Sequence, residues 1–224
     1  EEWFTPERTA DIPMAGGEEY HVVSLDQPLT TTIGSGPMLC EPSQTPVMEF
    51  FPPLPGEFGG VGAIAMLASW QLRPRAVVVS EQVSADHRQA AIDVIDSMGI
   101  DDPDPPVTQS ITVDLDGDGL EEVVLVLQRL PDDLIGHPGD YSVVLFRKVI
   151  EGEWRTAIVE RSTGVADSPY ILSHSIPAVA DLNGDGPMEI VVDAAYYEGA
   201  GTVAYEYLDD DLGLVAVISG GCGA

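Results

Sequence analysis

Positive charge is the first thing this sequence lacks. Its 224 residues include one lysine, Lys148, and eight arginines against 38 Asp+Glu, for a formal net charge of −29. Nucleic acid is excluded as a partner, because there is no basic stripe to displace counterions from phosphates. Long apolar runs are missing too: no stretch approaches the roughly 18 residues a transmembrane segment requires. The chain begins Glu1-Glu2-Trp3-Phe4 without an initiator Met, a basic leader or an apolar leader core. The expectation is therefore an exported protein, extracellular or at the cell surface, whose targeting segment has been removed. Cysteine is down to Cys40 and Cys222, which fits neither a zinc site nor a redox Cys-x-x-Cys pair. One disulfide in an oxidising compartment is the simplest use of the two, with a pair of unrelated buried thiols as the alternative. The single asparagine, Asn183, is followed by Gly-Asp, so no N-glycosylation sequon exists.

What is present argues for a folded chain. Hydrophobic residues make up 44% of the sequence, too many for a disordered acidic tail. The run Asp101-Asp102-Pro103-Asp104-Pro105-Pro106 removes backbone donors and marks the main boundary. It divides an N-terminal α+β region, 20–105, preceded by an extended arm, 1–19, from a C-terminal half, 106–224. In the first region Tyr20–Leu25, Thr30–Ile33, Val47–Phe51 and Arg75–Ser80 read as strands, and Gly59–Trp70 is ambiguous between strand and helix. Residues 85–98 read as a helix, with Ser84 as N-cap, Asp86 in the first turn, apolar residues at three- and four-residue spacing, and Gly99 as the stop.

The second half contains an internal repeat. Ile111–Val113 leads into Asp114-Leu115-Asp116-Gly117-Asp118-Gly119-Leu120-Glu121-Glu122 and then Val123–Leu127; Pro177–Ala180 leads into Asp181-Leu182-Asn183-Gly184-Asp185-Gly186-Pro187-Met188-Glu189 and then Ile190–Val192. Two further strands joined by a tight turn follow each: Tyr141–Val149 with Trp154–Val159, and Thr202–Leu208 with Leu214–Ile218. Oxygen-bearing side chains at alternate positions, a glycine in sixth place and an acid in ninth let a tight turn wrap a hard cation. Calcium suits this pattern better than magnesium, which demands a rigid octahedron and keeps more of its water. The expected ligands are Asp114, Asp116, Asp118, Glu122 and the Leu120 carbonyl in the first loop. In the second they are Asp181, Asn183, Asp185, Glu189 and the Pro187 carbonyl. An EF-hand would place Glu in twelfth place, where Leu125 and Val192 stand. The plain alternative is a solvated acidic hairpin.

Both loops resemble the Asp-x-Asp/Asn-x-Asp-Gly-x-x-Asp/Glu calcium loop of FG-GAP/VCBS repeats, the integrin-α-type β-propeller blades, with Glu in ninth place where Asp is more usual. The resemblance covers about residues 107–220. It implies that each loop joins two strands of a four-stranded blade and holds one structural Ca²⁺, giving two sites. A closed propeller needs about four blades. The expected fold is therefore mainly β with one prominent helix: two blade-like sheets completed by the N-terminal region, not a closed ring.

His21, His87, His137 and His174 show no metal-ligand spacing and read as surface or strand-end residues; Gly34-Ser35-Gly36 lacks the form of a nucleophile elbow. No catalytic residues are assigned, and the expectation is a protein that is not an enzyme. The expected function is a secreted, calcium-stabilised structural or adhesive module, a subunit of a self-assembling surface or extracellular filament, joined to its own copies through the arm 1–19. The alternative is a carbohydrate-binding or enzyme-associated module whose partner is a glycan or a surface protein, with Tyr196 and Tyr197 as a sugar platform.

Overall fold

The computed structural model describes residues 14–25, 27–41, 45–56, 62–131, 135–164, 170–208 and 212–223. The first thirteen residues of the expected arm lie outside these. From Met14 onward the chain is already tied down: the Gly17 N–H donates to the Gly34 carbonyl, and Glu19 opens the first strand.

Strands β1 (Glu19–Val23), β2 (Thr30–Gly34), β5 (Phe50–Phe51) and β6 (Ile64–Met66) form an antiparallel sheet in the order β5-β2-β1-β6, while β3 (Met38–Cys40) and β4 (Thr45–Val47) make a separate ribbon. The expected strand Val47–Phe51 is thus broken in two: its ends pair with different partners, β3 and β2, so the chain cannot run straight between them. The ambiguous Gly59–Trp70 segment contains a strand, β6. Of Arg75–Ser80 only Val77–Val79 is strand, labelled β7.

Helix α1 spans Ala85–Ser97. The Ser84 hydroxyl accepts from the His87 N–H, and the far end closes with Gly99 at φ 77°. There Ile100 N–H donates to Ile95 O and Gly99 N–H to Asp96 O, the paired bonds of a Schellman stop.

The repeat half builds two sheets. The first runs β11 (Glu153–Thr163), β10 (Tyr141–Ile150), β9 (Glu122–Arg129), β8 (Val107–Val113), then β7; the second runs β12 (Ser173–Ala180), β13 (Glu189–Tyr196), β14 (Gly199–Leu208), β15 (Gly213–Gly223). Each repeat supplies four antiparallel strands in chain order, and β7 adds a fifth to the first sheet by pairing Val77–Val79 with Ile111–Val113. Among the described residues the sheets do not close into a barrel or ring.

Stacking explains the composition. Val124 and Val126 of β9 and Phe146 of β10 meet Ile190 and Val192 of β13 and Tyr207 of β14 between the two sheets. On the other face of the first sheet, Val123, Leu125 and Leu127 pack under Ala91 and Ile95 of α1. Beyond the second sheet, Ala178, Ala180 and Val191 meet Val23 and Leu72 of the N-terminal region. The inner strands of the repeat sheets are covered on both faces while β11 and β15 stay half-buried to exposed, so β9 reads as an unbroken apolar run instead of the alternation expected of a half-solvated strand. A Cys40–Cys222 disulfide, Cα–Cα 5.9 Å, fastens β15 at the rim of the second sheet to β3.

Candidate metal centre

The two acidic loops occupy equivalent places, Asp114–Glu122 between β8 and β9 and Asp181–Glu189 between β12 and β13. Their frames share four kinds of bond and differ at the seventh place, where Leu120 N–H donates to Asp118 Oδ1 (2.7 Å) and Pro187 has no N–H to give. The first-place Asp114 accepts from Gly117 N–H (2.7 Å) and Gly119 N–H (3.2 Å); Asp181 accepts from Gly184 N–H (2.6 Å) and Gly186 N–H (3.1 Å). The third-place side chain accepts from the fifth-place N–H, Asp116 from Asp118 at 3.1 Å and Asn183 from Asp185 at 2.9 Å. The ninth-place Glu turns back to accept from the second-place N–H, Glu122 from Leu115 (2.8 Å) and Glu189 from Leu182 (2.7 Å). The sixth-place Gly119 and Gly186 sit at φ 86° and 103°, a region that disfavours any residue with a Cβ.

The loops also touch each other. Met188 N–H donates to Leu115 O at 2.8 Å. Arg75 spans both, donating from Nε to Asp114 O and from Nη2 to Leu115 O and Gly186 O, the last at 2.8 Å. Trp70 braces the second loop alone: its indole N–H donates to Asp181 O at 2.9 Å, and its ring lies 3.0 Å from where a Cβ on Gly184 would stand. Asp181 N–H in turn donates to Leu72 O. The segment from Trp70 to Arg75 is therefore a buckle across both loops. Sequence reasoning missed it, because neither residue carries any motif and both act through backbone carbonyls far away in the chain.

In the first loop Asp114, Asp116 and Glu122 each bring a carboxylate oxygen within 4.8 Å of the others. Lys148 of β10, with its side chain 8% exposed, reaches this cluster, its Nζ 2.5 Å from Asp116 Oδ2, 3.1 Å from Glu122 Oε1 and 3.6 Å from Asp118 Oδ2. Burial works against the charged ammonium, but the bonds to Asp116 and Glu122 outweigh it and hold the lysine above its ordinary range. Burial also pushes Asp116 up, yet the hydrogen bonds from Lys148 and from the Asp118 N–H bring it below the usual carboxylate range.

The second loop is charged differently. Glu189, like Glu122, is fully buried, with its Oε2 held by the second-place N–H and its Oε1 without a hydrogen bond; but where Glu122 Oε1 has Lys148 Nζ at 3.1 Å, Glu189 Oε1 has no ion-pair partner among the described residues. Burial first, then Asp185, Asp181 and Glu206, push its carboxyl up to about 7 against the pull of the Leu182 N–H. A buried carboxylate oxygen left in this state is costly unless a cation meets it. This orphaned oxygen beside Asp181, Asn183 and Asp185 fits an oxygen-liganded cation.

His174, expected at the surface or at a strand end, stands second in β12 and is 1% exposed. Its Nδ1 lies 2.9 Å from Ser142 Oγ across the two sheets, and Gln128 donates to Ser142, Ser173 and the His174 carbonyl. The arrangement ties the sheets together with polar bonds inside an apolar interface. Tyr196 packs near Tyr170, with ring centroids 6.3 Å apart, while Tyr197 is exposed at the β13–β14 turn. An apolar cleft of about 630 Å³ opens between β6 and β13–β15, lined by Tyr20, Met66, Leu182 and Ile218 among others.

No curated protein and no solved structure matches the chain. Residues 114–192, from the first position of the first loop through the second loop into β13, match the family model of an FG-GAP-like repeat.

Proposed function

We propose that the repeat half is a calcium-binding FG-GAP module and that it serves a secreted or cell-surface protein as a structural or adhesive element without catalytic chemistry. The observation that carries the reading is Glu189, a fully buried carboxylate whose Oε1 has no protein partner and whose neighbours Asp181, Asp185 and Glu206 are acids as well. Calcium takes six to eight oxygens, and carboxylates, an amide oxygen and a carbonyl are the donors it favours. Asp181, Asn183, Asp185, Glu189 and the Pro187 carbonyl would hold it in the second loop. Asp114, Asp116, Asp118, Glu122 and the Leu120 carbonyl are the corresponding oxygen donors of the first loop. The ion supplies charge neutralisation, and these residues supply its shape and its place at the seam between the sheets.

The Cys40–Cys222 bond supports an oxidising compartment. The Ser142–His174 pair lies between the two sheets, out of reach of any substrate, which supports the non-catalytic reading. Among the described residues β11 and β12 each pair on one side only, which supports strand edges open to further copies of the chain. Light scattering of the full chain and of a chain lacking residues 1–19 tests self-association: an oligomer lost on deletion supports the arm, and a strict monomer at high concentration contradicts it. For the ion, melting in calcium against EGTA is the test. An ion at about a hundredfold excess over its Kd adds about 2.7 kcal/mol per site, or roughly 5–10 °C for a chain of this size. Magnesium should give far less, and identical melting in all three buffers would remove the calcium reading.

A further inference from the structure

The two loops share one backbone frame, but the strand that crosses behind each brings an opposite charge. Val123, directly after Glu122, pairs with Arg147; Ile190, directly after Glu189, pairs with Tyr205. Continuing each register by one residue sets Lys148 across from Glu122 and Glu206 across from Glu189. We propose that Lys148 is a tethered cation that takes the place of a metal ion in the first loop, so that the protein binds one calcium tightly, in the second loop. This rests on the calcium reading of the loops and assigns which of them is open to the ion.

Three features carry the assignment. The ammonium contacts three of the four carboxylates expected to ligate an ion there, Asp116, Asp118 and Glu122. It also lies over the ring of Tyr207 of the second repeat, 4.4 Å from the centroid, a distance at which cation–π attraction adds to the hold. It is also the chain's only lysine, in a sequence where acids outnumber basic residues fourfold, 38 to 9. Being covalently attached, it faces its carboxylates at a high effective concentration and does not dissociate into solution as an ion does. Calcium could enter the first loop only by displacing a buried ammonium from its partners. In the second loop the corresponding residue is an acid, and the like-charged cross-strand pair Glu189–Glu206 is relieved by an ion from outside.

The test uses the full-length, disulfide-intact protein, wild type, Lys148→Met and Glu206→Lys, with calcium counted by chelator-competition titration in 150 mM salt (about an 8 Å screening length) and melting followed in EGTA. Wild type should bind one tight ion. Lys148→Met should bind two, with first-loop affinity up at least tenfold, and should melt lower than wild type in EGTA and recover in calcium. Glu206→Lys should bind none and melt higher than wild type in EGTA. Two tight ions in both wild type and Lys148→Met, with equal melting in EGTA, would overturn the role of Lys148 and leave the calcium reading intact. No calcium bound by any of the three, together with a lower melting temperature for Lys148→Met, would remove calcium and uphold Lys148 as the counter-cation of the first loop. Should Lys148→Met fail to fold, Glu206→Lys decides alone: unchanged calcium affinity overturns the proposal.

Discussion

The first and second repeats differ least where their backbones turn and most in what neutralises them. Asp114 and Asp181, Gly119 and Gly186, Glu122 and Glu189 make the same hydrogen bonds to the same positions. The first loop nevertheless meets Lys148, whereas the second meets Glu206 and leaves Glu189 Oε1 without a protein partner. On the proposal above, the nine-residue motif sets the shape of a cation site, and the strand beside it decides whether the cation comes from the chain or from solution. The second repeat also has more external bracing, since Trp70, Leu72 and the disulfide act on it directly.

Perturbing those braces sharpens the contrast. The largest expected effect is from opening the disulfide: Cys222→Ser frees a link across 182 residues and should lower stability by about 5 kcal/mol on chain-entropy grounds. Urea unfolding measures the total, and hydrogen exchange should show β15 losing protection while β11, the outer strand of the first repeat, keeps it. Arg75→Ala comes next. It orphans carbonyls in both loops and should cost roughly 2–3 kcal/mol, with calcium recovering only part, because the ion reaches only one loop. Trp70→Phe keeps a ring against Gly184 but removes the bond to Asp181 O. A loss of about 1 kcal/mol confined to the second loop should weaken calcium roughly fivefold without altering melting in EGTA by more than that amount.

The smallest effect concerns pH. Burial holds the His174 imidazole below its ordinary range, more than Glu160 and the Ser142 contact raise it. Between the unfolded value near 6.5 and the lower folded one, the unfolded chain binds the extra proton, so stability falls as pH drops through that window. His174→Gln should flatten the slope of unfolding free energy, measured by urea titration between pH 6.5 and 5, by roughly a few tenths of a kcal/mol per pH unit; an unchanged slope would show that His174 is free to protonate in the folded state.

The repeat half was legible because its signals are local. The nine-residue loops, the apolar strands beside them and the turn Glu151-Gly152 can each be read within ten residues, and so can the helix, from Ser84 to Gly99. The N-terminal region was less so. Val47–Phe51 has a strand-like composition, but two different partners claim its ends, and such partners are invisible to local pattern. The same reason hid β3 and the joining of β7 to the first sheet. The candidate ligands were read from spacing within each loop, but Lys148, Arg75 and Trp70 reach the loops from 26 to 111 residues away in the chain. For Lys148 alone a signal existed: aligning β10 with β14 from their loops sets it opposite Glu206.

The central claim, that the second loop takes an external ion while the first is filled by Lys148, is tested most directly by a crystal structure grown in calcium, with long-wavelength anomalous data. The account predicts one strong calcium peak enclosed by Asp181, Asn183, Asp185 and Glu189, with the Lys148 ammonium still on Asp116 and Glu122. A peak in the first loop with Lys148 swung away, or an empty second loop, would contradict it.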